Sequence, residues 1–307
     1  MGSLSAKRIV DPVLTNLARG YHNSMMIASA LFPIVTVQKE AGKIPLFTKE
    51  SFKIYNTERA IRAKSNRISP EDRSSIDFVL TEHDLEYPID YREEQEDSLP
   101  SKMNATKVCV DGIALRLEKI AADMAQDLAN FPAGNKVTLA AGDKFTNTSS
   151  DPFPIFSDAV EAVRASIGVR PNVCVMGASS YAALKEHPGV IDRIKYSQKG
   201  VITPELLKQL LDFEQLYIGD AVYASDANDF SDVWSDNVII AYVPKAQSNI
   251  PRSYFEPAFG YTLKKINMPV VDTYTEGGKV MMIRNTDIFV SKIVGSDAGY
   301  LINDTNA

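Results

Sequence analysis

With 307 residues, 45% of them hydrophobic and 23% charged, the chain can bury a sizeable core, and its length suggests about two domains. That composition excludes a disordered chain. A formal net charge of -6 excludes a dedicated nucleic-acid grip, which needs a basic excess, but leaves room for a surface that lies beside DNA without holding it.

Residues 1–40 offer one weakly amphipathic segment (Val13, Leu14, Leu17, then Met25, Met26, Leu31). It reads either as a leading arm or as a simple first helix. From Gly42 to Asp97 the pattern becomes extended. Ile44, Leu46 and residues 47–52 suit one strand. Ile76, Phe78 and Leu80 alternate with polar residues, and Leu85, Tyr87, Ile89 and Tyr91 alternate in the opposite parity. The phase slips once between Leu80 and Leu85, which predicts a bulge or a break. Between the two arms lies a polar stretch from Tyr55 to Ser75, so the whole is a long hairpin with a tip that has no core of its own.

Charge is segregated along this hairpin. Residues 49–73 carry Lys49, Lys53, Arg59, Arg62, Lys64, Arg67 and Arg73 against four acids, a net of +3 (7 − 4). Residues 82–97 carry Glu82, Asp84, Glu86, Asp90, Glu93, Glu94, Glu96 and Asp97 against Arg92, a net of -7 (1 − 8). Both runs could be solvated faces. A basic tip and an acidic base on one arm also suit contact between identical subunits, because complementary fields steer association and fix register.

Asn104 to Asn130 predicts one long helix, with Val110, Ile113, Leu117, Ile120, Met124 and Leu128 on one face. It would span about 40 Å and stop at Phe131-Pro132-Ala133-Gly134. Residues 134–150 read as an irregular crossing. Helix and strand then alternate over 151–257. Ser157 is placed as the cap of a helix at Asp158–Ile167, Val173–Met176 as an apolar strand and Ser179–Glu186 as a helix ending before Pro188. Thr203-Pro204-Glu205 combines a cap, a proline at the first helical position and an acid near the positive end. Leu216–Ile218 and Val238–Val243 supply strands. Tyr261–Ile266, Val270–Tyr274, Val280–Arg284 and Ile288–Val294 form a strand-rich ending with a tight turn at Gly277-Gly278.

The residues offer no catalytic set. Cys109 and Cys174, both in apolar runs, are too few for a disulfide framework or a structural zinc site. His22, His83 and His187 are scattered. His83, among Glu82, Asp84 and Glu86, is read as part of a solvated strand edge, and His187 as a cap at a helix end. Gly177-Ala178-Ser179-Ser180-Tyr181 sits between a strand and a helix, as a nucleophile elbow would, but Tyr181 stands where the second glycine is needed. Its serines are read as helix caps, and Trp234 as a loop anchor. No phosphate-binding glycine loop is present, no apolar run reaches membrane-spanning length, and no cofactor or metal is expected.

The stretch from Pro171 to Tyr223 carries a recognisable order. A strand leads to a helix ending in Leu184-Lys185-Glu186-His187-Pro188, then Ile191-Asp192-Arg193-Ile194-Lys195-Tyr196-Ser197-Gln198-Lys199-Gly200, then Thr203-Pro204-Glu205, then Gly219-Asp220-Ala221-Val222-Tyr223. This resembles the axial domain of tailed-bacteriophage major capsid proteins, the family with the Johnson (Hong Kong-ninety-seven) fold. The resemblance implies an α+β capsid-type fold. Its parts are an N-terminal arm (1–40), an extended hairpin loop and its base (41–97), a peripheral domain with a spine helix packed on a sheet (98–150 and 258–307), and a mixed α/β axial domain (151–257).

The function implied is that of a major capsid protein, not an enzyme, self-assembling into the pentamers and hexamers of an icosahedral shell around double-stranded DNA. Assembly in the host cytoplasm would end in the virion. The implied contacts are the basic tip (Arg59, Arg62, Lys64, Arg67, Arg73) and the acidic base (Glu82, Asp84, Glu86, Glu93, Glu94), with Ile113, Leu117, Ile120 and Met124 as the core of the spine helix. Implied partners are other copies of the chain, a scaffolding protein, a portal and in some members a decoration protein. Packaged DNA would be touched weakly, and no membrane is involved. A separate scaffolding protein, or prior processing, is implied because the sequence lacks the long N-terminal extension some members use. Two alternatives stay open: an encapsulin-type nanocompartment shell around a cargo enzyme, and a small α/β enzyme built on 151–257.

Overall fold

The computed structural model describes residues 26–46, 54–67, 75–92, 101–194, 202–224, 229–245 and 253–306. A short helix α1 (Ala28–Leu31) leads into β1 (Ile34–Val37) and β2 (Ala41–Pro45). Strands β3 (Ser75–Val79) and β4 (Thr81–Asp90) precede the long helix α2 (Ser101–Gln126) and β5 (Lys136–Thr138). The middle of the chain holds α3 (Pro152–Ile167), β6 (Val173–Gly177), α4 (Ala178–Glu186), α5 (Pro188–Ile194) and α6 (Pro204–Leu210). After these come β7 (Gln215–Gly219), β8 (Val222–Ala224), β9 (Phe230–Asp232) and β10 (Val238–Ala241). The chain closes with β11 (Gly260–Lys265), β12 (Val270–Glu276), β13 (Val280–Ile293) and β14 (Gly299–Asn303).

Two sheets organise these elements. In the first, β13 pairs antiparallel with β12 along its first half and with β11 along its second, and β1 joins β11 in parallel. Strand β4 also pairs with β13, over Val280–Phe289. Phe289 faces both Lys264 and Thr81, so β11 and β4 occupy opposite edges of β13. The β12–β13 turn is the expected one: Gly277 and Gly278 both have positive φ (57° and 72°), a backbone that costs glycine no Cβ clash. The two strands predicted after it are one, β13.

The second sheet runs β5-β14-β10-β6-β7. Its inner strands follow the period of two. Val173 and Val175 of β6 and Ile239 and Ala241 of β10 face one core with Ala121, Ala122 and Ala125 of α2 and Leu31 of α1. Cys174, Met176, Val238 and Ile240 face the other, under α3 to α6, with Phe156, Val163, Leu184 and Leu207. Helix α2 therefore serves both sheets. Its first half lies on the first, where Ala105 packs with Ile89, Val271 and Ile283. Its second half covers one face of the second. At 26 residues it is about 39 Å long, enough to span both.

Several expectations change in detail. Helix α3 begins at Pro152, not Asp158, because Asp151 caps it by accepting from Phe153 N–H (3.1 Å) and the prolines at 152 and 154 sit in a first turn that needs no donors. Residues 136–138 are a strand, not part of an irregular crossing. With β14 they pair into the second sheet, so strand pairing crosses the expected boundaries at 151 and 257. The expected phase slip falls at Leu80, where the chain changes partner from β2 (through β3) to β13 (through β4); its N–H donates to Glu40 O (2.7 Å). Of the expected arm, residues 1–25 lie outside the described residues, whereas Ala28, Leu31, Phe32, Val35 and Val37 are buried in this chain's own core.

Candidate assembly surfaces

The hairpin base β2–β3 is anchored by Ile44 and Phe78, which are buried with Val35, Leu263 and Ile288 against the first sheet. Beyond it the tip stands clear. All fourteen described residues from 54 to 67 are exposed, including Ile54 (100%) and Ile61 (91%). The tip is held by its own polar contacts. Ala63 N–H closes a turn on Ala60 O (3.1 Å), with Arg62 in the left-handed region (φ 66°). Arg59 Nη1 donates to Ala63 O (2.6 Å), and Asn66 Nδ2 bridges Asn56 O (2.7 Å) and Glu58 O (3.0 Å). Arg59, Arg62, Lys64 and Arg67 thus project from a tied loop that carries a single acid, Glu58.

Glu82, Asp84 and Glu86 lie on β4, which pairs only with β13 among the described residues. Strand β4 puts Leu85, Tyr87 and Ile89 on the α2 side and the three acids on the other. Gly112 of α2 lets Leu85 come close: a Cβ there would stand 2.6 Å from Leu85 Cδ1. Glu86 is engaged within the chain, accepting from Tyr274 Oη (3.0 Å) and pairing with Arg284 (3.5 Å), which also grips the buried Asp272. Arg73, Glu93 and Glu94 lie outside the described residues. Among the described residues, then, the four cations lie on an exposed loop and the three acids on β4.

On α2, Ile113 is buried, whereas Leu117, Ile120 and Met124 are half-buried. The deepest positions are Ala105, Thr106, Cys109, Ala121, Ala122 and Ala125, whose small side chains admit close approach, together with Glu118. Glu118 is 1% exposed. It accepts three N–H bonds: Ile27 N to Oε1 (3.0 Å), Ala28 N to Oε2 (2.8 Å) and Trp234 Nε1 to Oε1 (2.7 Å). Burial pushes its carboxyl above the ordinary carboxylate value, and the three donors pull part of the way back. Sequence reasoning missed this residue. The available signal was its place between Leu115 and Ala122, on an apolar stripe that runs beside the expected one.

Trp234 is the loop anchor expected. It is fully buried, over the paired ends of β6 and β7. Gly177 and Gly219 make that possible. A Cβ at 219 would lie 2.4 Å from the indole, and one at 177 would lie 1.6 Å from Ser235 O. Gln126 of α2 ties the same loop from the side, donating to Val233 O (2.9 Å) and accepting from Asn237 Nδ2 (2.9 Å).

His187 is buried. Its Nδ1 accepts from Gly189 N–H (3.1 Å), so the proton sits on Nε2, which reaches Asn147 O (3.1 Å). It ties the start of α5 to the 147–150 loop. Ser180 is no helix cap but is buried against Thr305 Oγ1 (2.7 Å). His83 departs from the solvated edge expected. It is half-buried and stacks on Phe289 at 4.2 Å, and burial, helped by Arg116, lowers its pKa against Asp287 and Asp84.

A groove of about 320 Å³ beside α3 is lined by Phe153, Phe156, Val160, Leu210, Arg170 and Arg193. Arg170 pairs with Glu161 (2.9 Å) and Arg193 lies over the Phe153 ring (3.4 Å). The groove's other lining residues include Ser157 and Glu161, and Glu161 accepts from Arg164 (2.6 Å) and Arg170 (2.9 Å). Among the described residues no group of His, Cys, Asp and Glu could hold a metal ion, and no helix is long and apolar enough to cross a membrane.

The same architecture recurs in known proteins. Over its whole length the chain is 52% identical, across 306 residues, to the major capsid protein of Burkholderia phage BcepMu, all of which is covered. A solved phage-related protein from Bordetella bronchiseptica RB50 is 34% identical, with a TM-score of 0.82 over 97% of this chain and 98% of that one. An encapsulin from Synechococcus elongatus PCC 7942 shares the fold alone, at 12% identity and a TM-score of 0.55 over 92% and 88% of the two chains. The relationship is thus much nearer to the phage proteins than to the encapsulin. The model of the family described as phage major capsid protein E matches residues 21–276, so the sheets, the bridging helix and the projecting hairpin are those of a chain that belongs to this capsid family.

Proposed function

We propose that the projecting tip is the intersubunit arm of the shell, with Arg59, Arg62, Lys64 and Arg67 docking on the acidic edge of β4 in a neighbouring copy, around Glu82 and Asp84. The observation that carries this reading is the exposure of every described residue from 54 to 67, Ile54 and Ile61 included, in a loop tied by polar bonds of its own. Two large aliphatic side chains in water on a tied loop are explained by burial on a partner. Four cations against one acid match an edge strand of opposite sign.

Capsid proteins build a shell from copies of themselves, and this chain is one. The finer assembly is our reading: pentamers and hexamers of an icosahedral shell around double-stranded DNA, formed in the host cytoplasm with a scaffolding protein, a portal and a decoration protein as partners. Repeated, individually modest contacts suit a closed assembly. The net charge of -6 suits a lining that does not hold DNA tightly.

A charge swap tests the docking. Arg59→Glu, Arg62→Glu and Arg67→Glu together should stop shell formation, read by electron microscopy and light scattering, and leave the folded subunit unchanged. Adding Glu82→Lys and Asp84→Lys should restore shells. Shells of normal yield from the triple variant, or no rescue by the swap, would overturn the pairing.

A further inference from the structure

Glu118 is the one fully buried acid of α2, and the assembly reading makes no use of it. Its three donors come from separate parts of the chain: two from the backbone where α1 begins, and one from the loop that closes the ends of β6 and β7. A buried carboxylate is tolerable only while such donors replace its water. Glu118 is therefore the polar link between two ends that also share one apolar core. If α1 lifts from α2, Glu118 loses two of three donors, and the carboxylate gains by turning out to water. Trp234 then loses its acceptor.

We infer that Glu118 is a positioning residue that transmits the placement of α1 to the Trp234 loop, so that movement of the N-terminal segment is felt at the end of the second sheet. The contacts around it support transmission. Leu31 and Phe32 hold α1 by apolar burial alone, Phe32 against Phe259 (ring centroids 5.5 Å). Weakening that burial loosens α1 without touching the carboxylate. The second tie to the loop, through Gln126, runs from α2 itself and does not involve α1. The inference is independent of how the tip docks.

Trp234 is the sole tryptophan, so its fluorescence reports on this loop alone. The test is a cycle on the full chain, read as acrylamide quenching of Trp234, with hydrogen exchange at Ile27 and Ala28 as a second readout. Leu31→Ala should raise the quenching constant by about threefold or more, while the same change in a Glu118→Met background should add almost nothing, because methionine keeps the length of the side chain but removes the acceptor that both ends share. Leu31→Val serves as the milder variant if the alanine variant does not fold. In Glu118→Met alone, exchange at Ile27 and Ala28 should rise about tenfold while the amides of β6 and β10 keep their protection. An equal effect of the Leu31 variant in both backgrounds, unchanged quenching in the Leu31 variant, or a uniform loss of protection in Glu118→Met would each overturn the inference.

Discussion

The tip at 54–67 and the joint around Glu118 place charge in opposite surroundings. The tip keeps four cations in water, where each costs little and contributes little until a partner arrives. The joint buries one carboxylate completely, where it costs a great deal unless every donor is in place. Within one chain, then, exposed charge specifies contacts to be made later, and buried charge specifies the geometry already made. Changes at the joint should act on folding, and changes at the tip on assembly.

The largest effect is expected at the floor of the joint. Gly177→Ala drives a Cβ into Ser235 O and forces the Trp234 loop to move, a loss of roughly 4 kcal/mol or more. Soluble yield and the denaturation midpoint would show it, and a normal midpoint would mean the loop has slack. Next is Ile113→Asp, which buries an unpaired carboxylate on α2 at a cost of about 3–4 kcal/mol. Leu117→Asp, at a half-buried position, should cost clearly less. Equal costs would show that the stripe read from periodicity, not the face seen in the structure, carries the packing.

A smaller effect concerns pH. The folded pKa of Glu118 lies above its ordinary value of 4.5, so the fold binds that proton more tightly than the unfolded chain does. Its contribution is therefore fully present below about 4.5 and is lost as pH rises through the raised value, opposite to a surface carboxylate in an ion pair. Urea midpoints across that window should fall with pH for the native chain, and the fall should be shallower in Glu118→Gln. A steeper fall in the variant would contradict the assignment. Smallest of all is the tip: the triple reversal of Arg59, Arg62 and Arg67 should move the subunit's stability by less than about 0.5 kcal/mol while abolishing shells. A large shift in melting would mean the tip is part of the fold.

Local chemistry made much of this legible in the sequence. Thr203 caps α6 as expected, its Oγ1 accepting from Leu206 N–H (3.3 Å). The Gly277-Gly278 turn, the long α2 and the inner strands β6 and β10 also follow from signals within a few residues of each other. The phase slip near Leu80 correctly marked a change of pairing. What stayed hidden depends on partners far along the chain. The pairing of Leu301 with Lys136 leaves no trace in either segment, so β5 and β14 could not be assigned to the second sheet. Glu118 looks like any helical acid until Ile27 and Trp234, 91 and 116 residues away, are brought to it. The Gly219-Asp220-Ala221-Val222-Tyr223 phrase was legible as a motif but not as a reason: Gly219 is needed because the indole lies on it. For the tip, the segregation of charge was visible, but its exposure was not.

The most direct measurement is a near-atomic electron cryomicroscopy reconstruction of shells assembled from this chain. The account predicts the 54–67 loop of one copy against β4 of an adjacent copy, with Arg59, Arg62 or Arg67 within about 4 Å of Glu82 or Asp84. A tip lying in solvent, or folded back on its own subunit, would contradict it.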